Sequence, residues 1–179
     1  MLQGLCSQPI LHRGKPIHLF LLASFRLTTD LLQPIFGVDL MVMEADDPER
    51  AYPICLLAMN QTGYRNLTEV ISLAYTQGQN LGMPYVSKQW LEAGAEGVIA
   101  LSAGVAGDVG QALLSDKVAL ATERARYWME LYPGRYYLEL HRAGREGDED
   151  HLHAAVALAQ DLQCPVVATN DVRFLDAVS

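Results

Sequence analysis

The sequence predicts an α/β domain built around a sheet of mostly parallel strands. From about Pro34 onward, short apolar segments alternate with segments of helical periodicity, which is the pattern of βαβ units. Several apolar segments are nearly continuous, as expected of strands that are covered on both faces. Each helical segment is followed by another apolar segment, so the pattern repeats along the chain.

The strands are predicted from apolar runs bounded by polar or turn-forming residues. They cover residues 35–43, 54–60, 98–102, 136–141 and 166–170. The first helix is predicted to begin at Asn66, because Glu69 follows at the spacing of a capping box. Its apolar face consists of Leu67, Val70, Ile71 and Ala74.

Two further helices are predicted from apolar stripes with a period near 3.6 residues. One stripe consists of Val118, Ala121, Ala125, Trp128 and Tyr132. The other consists of Leu152, Ala155, Val156, Ala159 and Leu162, with Asp148 as the predicted N-cap. Short helices are also expected near Asp108 and from Lys88 to Trp90.

The first 33 residues show no clean period and contain the turn formers Gly4, Pro9, Gly14 and Pro16. We expect residues 1–33 to form a divergent, poorly ordered segment and residues 34–179 to form a single domain. The apolar run at residues 17–25 follows basic residues, as in a signal sequence, but it is too short to span a bilayer as a helix. A poorly ordered or locally buried segment is favoured over secretion.

The charge balance disfavours binding to nucleic acids. Thirteen basic residues stand against 21 acidic ones, for a formal net charge of -8, and no basic cluster compensates. The three cysteines Cys6, Cys55 and Cys164 are too far apart for a zinc motif and too few for a disulfide framework. A reducing cytoplasm is the expected compartment.

Functional side chains in parallel α/β folds gather where the strands end. The residues selected by this rule are Asp39, Asn60, Ser102, Glu139, His141, Asn170 and Asp171. Glu139 and His141 share a strand face and could hold a metal or act as acid and base, but simple alternation on a solvated strand face is the favoured interpretation. Asp171 suits either a metal ligand or a helix cap.

Two other patterns are weaker signals of function. Gly104, Gly107 and Gly110 could expose backbone amides to a phosphate, but they lack the spacing of known phosphate loops, and a tight turn is the favoured interpretation. His151 and His153 are two residues apart on a helix, so they cannot share one metal ion.

Five short strings occur in order along the chain: Gly37-Val38-Asp39, the run from Asn60 to Leu67, Leu101-Ser102-Ala103-Gly104 with Gly107 to Gly110, Tyr137 to Leu140, and Val167 to Phe174. Together they resemble the PHP (polymerase and histidinol phosphatase) domain of bacterial DNA polymerase III alpha subunits. The resemblance covers roughly residues 33–177. It implies a partial, distorted (βα) barrel.

Active members of that family hold metal ions through His, Asp, Glu and Cys at the strand ends and hydrolyse phosphate esters. By the same resemblance, Ala143, Gly104 and Arg173 stand where such members have ligands, and the early His-x-His and Thr-Asp-His motifs are missing. Only Asp39 and Asp171 match ligand positions, with Glu139 and His141 as secondary candidates. The resemblance therefore implies a degenerate metal site without a cofactor.

The leading hypothesis is a structural and interaction domain of a replicative polymerase alpha subunit, whose polymerase core would lie outside this chain. The resemblance implies the proofreading exonuclease (epsilon) subunit and the rest of the polymerase III core as partners, with no membrane and no direct DNA binding. The alternative is a metal-dependent phosphoesterase that holds manganese or zinc through Asp39, Glu139, His141 and Asp171.

Overall fold

The strands form one large mixed sheet. The computed structural model describes residues 19–24, 33–44, 47–80, 82–145 and 147–170. The strands are β1 (Leu19–Ser24), β2 (Gln33–Glu44), β3 (Asp47–Ala58), β4 (Gln79–Asn80), β5 (Met83–Pro84), β6 (Val98–Leu101), β7 (Tyr136–Leu140) and β8 (Val166–Ala168). Six of them make a sheet of order β1-β2-β3-β6-β7-β8, while β4 and β5 pair separately.

The sheet has an antiparallel half and a parallel half. β1 pairs antiparallel with β2, β2 with β3, and β3 with β6. β6, β7 and β8 pair parallel. As a result β2, β6, β7 and β8 all run in one direction, so their carboxyl ends lie towards the same edge. β1 and β8 are the outer strands, and the described part of the sheet is open rather than closed into the predicted barrel.

Five α-helices in the described ranges connect and cover these strands. They are α1 (Gln61–Thr76), α2 (Lys88–Ala93), α3 (Asp108–Leu114), α4 (Val118–Leu131) and α5 (Asp148–Leu162), and a 3-10 turn at Gly104–Ala106 precedes α3. None of the described helices has the length and apolar character needed to traverse a membrane. The helices predicted from the apolar stripes correspond to α4 and α5, and the two expected short helices correspond to α2 and α3.

The main core lies on one face of the sheet. Val38, Leu56, Ala100 and Tyr136 are in register across neighbouring strands, and each is at most 1% exposed. Helix residues such as Trp128 pack into the same cluster. Because side chains alternate along a strand, the intervening residues point to the second face of the sheet.

One predicted strand boundary was wrong. β3 begins at Asp47 rather than at residue 54, and it forms a long hairpin with β2. Pro53 lies inside this strand, where its missing N–H is tolerated because β6 pairs only with the later part, Cys55–Ala58. β1 lies before the predicted domain boundary at residue 33 and pairs with β2.

The starts of α1 and α5 also differ from the predicted ones. α1 begins at Gln61 with Asn60 as its N-cap, because the Asn60 side chain accepts a hydrogen bond from the Gly63 N–H at 3.0 Å. Asn66 instead donates to the Glu96 carbonyl at 2.8 Å. α5 has Gly147 at its N-cap, and the Asp148 carboxylate accepts from the Ala143 N–H at 2.9 Å, closing the preceding loop.

Candidate functional site at the strand ends

Glu139, near the end of β7, is the centre of the candidate site. It is 8% exposed, although alternation on a solvated face was a simple explanation for it. Its carboxylate accepts hydrogen bonds from the Thr169 hydroxyl at 2.5 Å and from the Ala103 N–H. Its backbone N–H donates to the Ser102 hydroxyl at 2.9 Å. Glu139 therefore links the ends of β6, β7 and β8.

His141 completes the set of donors to this carboxylate. Its Nε2 lies 3.2 Å from Oε1 of Glu139, and the two side chains share a strand face as the sequence predicted. The other side of the imidazole packs against Gly104. A Cβ at Gly104 would lie 2.8 Å from Nδ1 of His141, and Gly104 has a φ of +54°. The ring therefore occupies the space that a side chain at position 104 would need.

The hydrogen bonds decide the charge state of Glu139. Burial acts to raise the pKa of its carboxyl group, but the hydrogen bonds from His141 and Thr169, the charge of protonated His141 and the Ala103 N–H outweigh it. The resulting pKa lies below the ordinary value of 4.5. Glu139 is thus an anion that the chain's own donors already satisfy.

Asp39 lies elsewhere on the second face of the sheet. The sequence analysis placed Asp39 at a strand end, but it lies inside β2 opposite Cys55 of β3. The Cys55 thiol donates a hydrogen bond to the Asp39 carboxylate. Burial raises the pKa of the Cys55 thiol, and the negative charges of Asp39 and Glu139 raise it further. This thiol stays protonated, which makes it a poor nucleophile or ligand.

The other candidate residues do not join the Glu139 site as ligands or catalytic groups in the described structure. Asn60 caps α1 and Ser102 bonds to the backbone of β7, so both serve local structure. Asn170 is exposed. Asp171 and Arg173 lie outside the described residues. The turn favoured for the glycine segment is a 3-10 turn that leads directly into α3.

Comparison with known proteins identifies the family of the chain. A sequence profile of the PHP domain matches residues 17–143. The chain belongs to the PHP domain family. The PHP match begins before β1 and extends past His141, so it includes Asp39, Glu139 and His141.

Several similar proteins are much longer than this PHP chain. DNA polymerase III subunit alpha is 46% identical over 144 residues in Pseudomonas aeruginosa and 45% identical over 146 residues in Escherichia coli K12. The protein of that name in Haemophilus influenzae is 40% identical over 145 residues. These alignments cover 80% to 82% of this chain but only 12% or 13% of the relatives.

Among the described residues, Glu139 and His141 are bonded to each other rather than open to a metal ion. No group of three or more His, Cys, Asp and Glu side chains in the described ranges has the geometry to hold a metal ion. Nε2 of His141 is directed at Glu139, the Glu139 carboxylate already has three donors, and Gly104 offers no ligand. A metal ion would have to displace these internal bonds.

His151 is a buried residue of this region that the sequence interpretation did not select. It is 2% exposed in the first turns of α5, and its Nδ1 has no hydrogen-bond partner among the described residues. Burial lowers its pKa, and the charge of His141 lowers it further. Its spacing from Ala155 and Leu158 places it on the buried face of α5, a periodicity that was available in the sequence. His153 is exposed, as expected for the other face.

Replacing Glu139 by glutamine should cost roughly 1–2 kcal/mol at neutral pH, since the donors lose a charged acceptor but keep a neutral one. Because the folded pKa of Glu139 is lowered, its contribution is fully present above the ordinary value of 4.5 and is lost as the pH falls through the lowered pKa. Urea unfolding of wild type and Glu139→Gln across pH should therefore show a difference that narrows in acid. A difference that does not vary with pH would contradict this assignment.

Proposed function

We propose that this chain serves as a non-catalytic PHP module of the alpha subunit of a bacterial replicative DNA polymerase. In this role it supports the polymerase core during DNA replication and carries no polymerase activity itself. The identity to alpha subunits over 80% of the chain supports the assignment to that subunit. We further propose that residues 34–179 contribute a partial, distorted barrel to the complete domain.

One observation carries the proposal that the module is non-catalytic. The Glu139 carboxylate is satisfied by His141, Thr169 and Ala103, so hydrogen bonds occupy the donors and acceptors that a metal cluster would use. This arrangement joins three strand ends, which is a structural role. Asp39 is likewise bonded to the protonated Cys55 thiol.

We propose the proofreading exonuclease (epsilon) subunit and the remaining polymerase III core as its partners in the cytoplasm, on the strength of the family resemblance. Direct contact with DNA is not part of this role, because a net charge of -8 opposes binding to a phosphate backbone. Titration of the chain with a purified exonuclease subunit should give saturable binding with a Kd of about 1 μM or tighter. Binding to single-stranded DNA alone with that affinity would contradict the proposal.

Metal analysis separates this role from the alternative phosphoesterase. That enzyme would hold manganese or zinc through Asp39, Glu139, His141 and Asp171. We expect less than about 0.1 metal ion per chain after purification with added manganese and zinc, since only one imidazole, already engaged by Glu139, accompanies the three carboxylates. Stoichiometric metal together with chelator-sensitive hydrolysis of a phosphate ester would overturn the non-catalytic role.

A further inference from the structure

The imidazole of His151 is buried at the end of the first turn of α5. It is 2% exposed, and its Nδ1 has no hydrogen-bond partner among the described residues. A neutral imidazole has an N–H donor on one nitrogen only, so the other nitrogen needs no acceptor. A protonated imidazole has a donor on both nitrogens, and a buried charged donor without an acceptor is costly. The packing around His151 therefore suits its neutral form.

The carboxylate of Asp148, on the same helix, is already used by the backbone. It accepts hydrogen bonds from the Ala143 N–H at 2.9 Å and from the Arg145 N–H at 3.1 Å. Its negative charge attracts a proton to His151, but burial of the imidazole outweighs that attraction. Asp148 thus holds the preceding loop rather than the histidine.

The other elements packed against α5 also leave His151 without an acceptor. At the end of β7, the charge of Glu139 attracts a proton to His151 and that of His141 repels it, and Glu139 already accepts from its own donors. On α3, the buried Asp108 accepts from Trp128 Nε1 at 2.9 Å. The charged residues of α4 are exposed or bonded elsewhere, and the 3-10 turn has no titratable side chain.

Burial of His151 is the main contact that docks the first turn of α5 on the domain, among the residues described. Gly147, at the N-cap, makes no side-chain cap bond. Glu149 pairs with Arg142 at 2.7 Å, but both side chains are more than half exposed, and such pairs contribute little. Asp148 bonds to the loop that precedes the helix, so this loop and the first turn can move together.

We propose that His151 makes the docking of the start of α5 sensitive to pH. Protonation removes the imidazole from its buried position and releases the first turn of α5 together with residues 142–145. The rest of the helix stays packed through Ala155, Leu158 and Ala159, which are buried. This inference does not depend on the proposed function.

The direction of the pH dependence follows from the two states of the ring. Burial and the charge of His141 lower the pKa of His151 in the docked state. In the released state, water surrounds the ring and the pKa returns to its ordinary value of 6.5. The released state therefore binds the proton more readily, so docking is fully favoured above pH 6.5 and weakens as the pH falls below that value.

Hydrogen exchange of the chain at pH 7.5 and pH 5.5 tests the proposal, with rates corrected for the intrinsic effect of pH. Amides in the first turns of α5 should lose protection by at least about threefold at pH 5.5. The limit is about tenfold, for one imidazole of ordinary pKa 6.5 that stays neutral when docked. Amides of α4 should keep their protection. Glu139 does not interfere, because its contribution is fully present above pH 4.5.

Two variants remove the titrating group, His151→Phe with a ring of similar shape and His151→Gln with a neutral amide. In both, the first turns of α5 should show the same protection at the two pH values. His153→Gln is the matched control, because His153 is exposed on the same helix, and it should keep the wild-type loss. Equal losses in α4 and α5 would indicate global unfolding and overturn the proposal. A loss that persists in the His151 variants, or no loss in the wild type, would overturn it as well.

Discussion

Replacing Gly63 by alanine is expected to lower the free energy of unfolding by about 3 kcal/mol, the upper part of the range for overpacking a tight contact. Gly63 is in the first turn of α1, and a Cβ there would lie 1.9 Å from the Gly97 carbonyl oxygen. The obstacle is backbone, which cannot move aside as a flexible side chain can. The better helix propensity of alanine, about 1 kcal/mol, offsets only part of this cost.

Urea unfolding followed by circular dichroism measures this loss, and Thr62→Ala is the control. Thr62 is the exposed neighbour of Gly63 in the same helical turn, so its replacement should change stability by less than about 0.5 kcal/mol. For a chain of this size the Gly63 variant should melt about 6–12 °C lower. Equal stabilities of the two variants would show that α1 and the Gly97 loop can separate without cost.

The same contact explains the string from Asn60 to Leu67, which carried much of the family resemblance. Asn60 caps the helix at the Gly63 N–H, Gly63 touches the Gly97 backbone, and Asn66 donates to Glu96 at 2.8 Å. These residues fasten α1 to the loop before β6. The string therefore holds α1 against this loop. The capping box that Asn66 and Glu69 predicted does not form.

Periodicity predicted the elements well because it reports burial along one segment. The stripe on α4 is set by Ala121, Ala125 and Trp128, which are all buried, and no information from distant residues is needed to see it. The long β2–β3 hairpin could not be predicted in the same way. β3 contains Pro53, a residue that normally ends a strand, and the strand continues through it because β6 pairs only with Cys55–Ala58.

The candidate site was predicted only in part, because only some of its contacts follow from spacing along one segment. The two-residue spacing of Glu139 and His141 is local, and it correctly placed both side chains on one face. The donors Thr169 and Ala103 follow β8 and β6, and they reach Glu139 only because β7 lies between those strands. Strand order is a tertiary property that spacing does not encode. The pairing of Asp39 with Cys55 likewise depends on the antiparallel register of the hairpin.

Replacing Gly104 by alanine should separate His141 from Glu139 and cost about 3 kcal/mol. Roughly 1–2 kcal/mol comes from placing a Cβ at a φ of +54°. The remainder comes from the imidazole, since the new Cβ would lie 2.8 Å from its Nδ1. Gly134→Ala is the matched control, because Gly134 has a φ of +67° but nothing within 4 Å of the added Cβ. It should lose only the backbone cost.

A double-mutant cycle isolates the contact with the imidazole. In a His141→Ala background, Gly104→Ala should cost no more than Gly134→Ala, since the ring that the Cβ meets is gone. In the wild-type background, the NMR resonances of the His141 ring should shift in Gly104→Ala and stay unchanged in Gly134→Ala. If Gly104→Ala costs the same with and without His141, the ring does not occupy the space that a side chain at position 104 would need. Something other than the Glu139–His141 pair would then exclude a side chain at position 104.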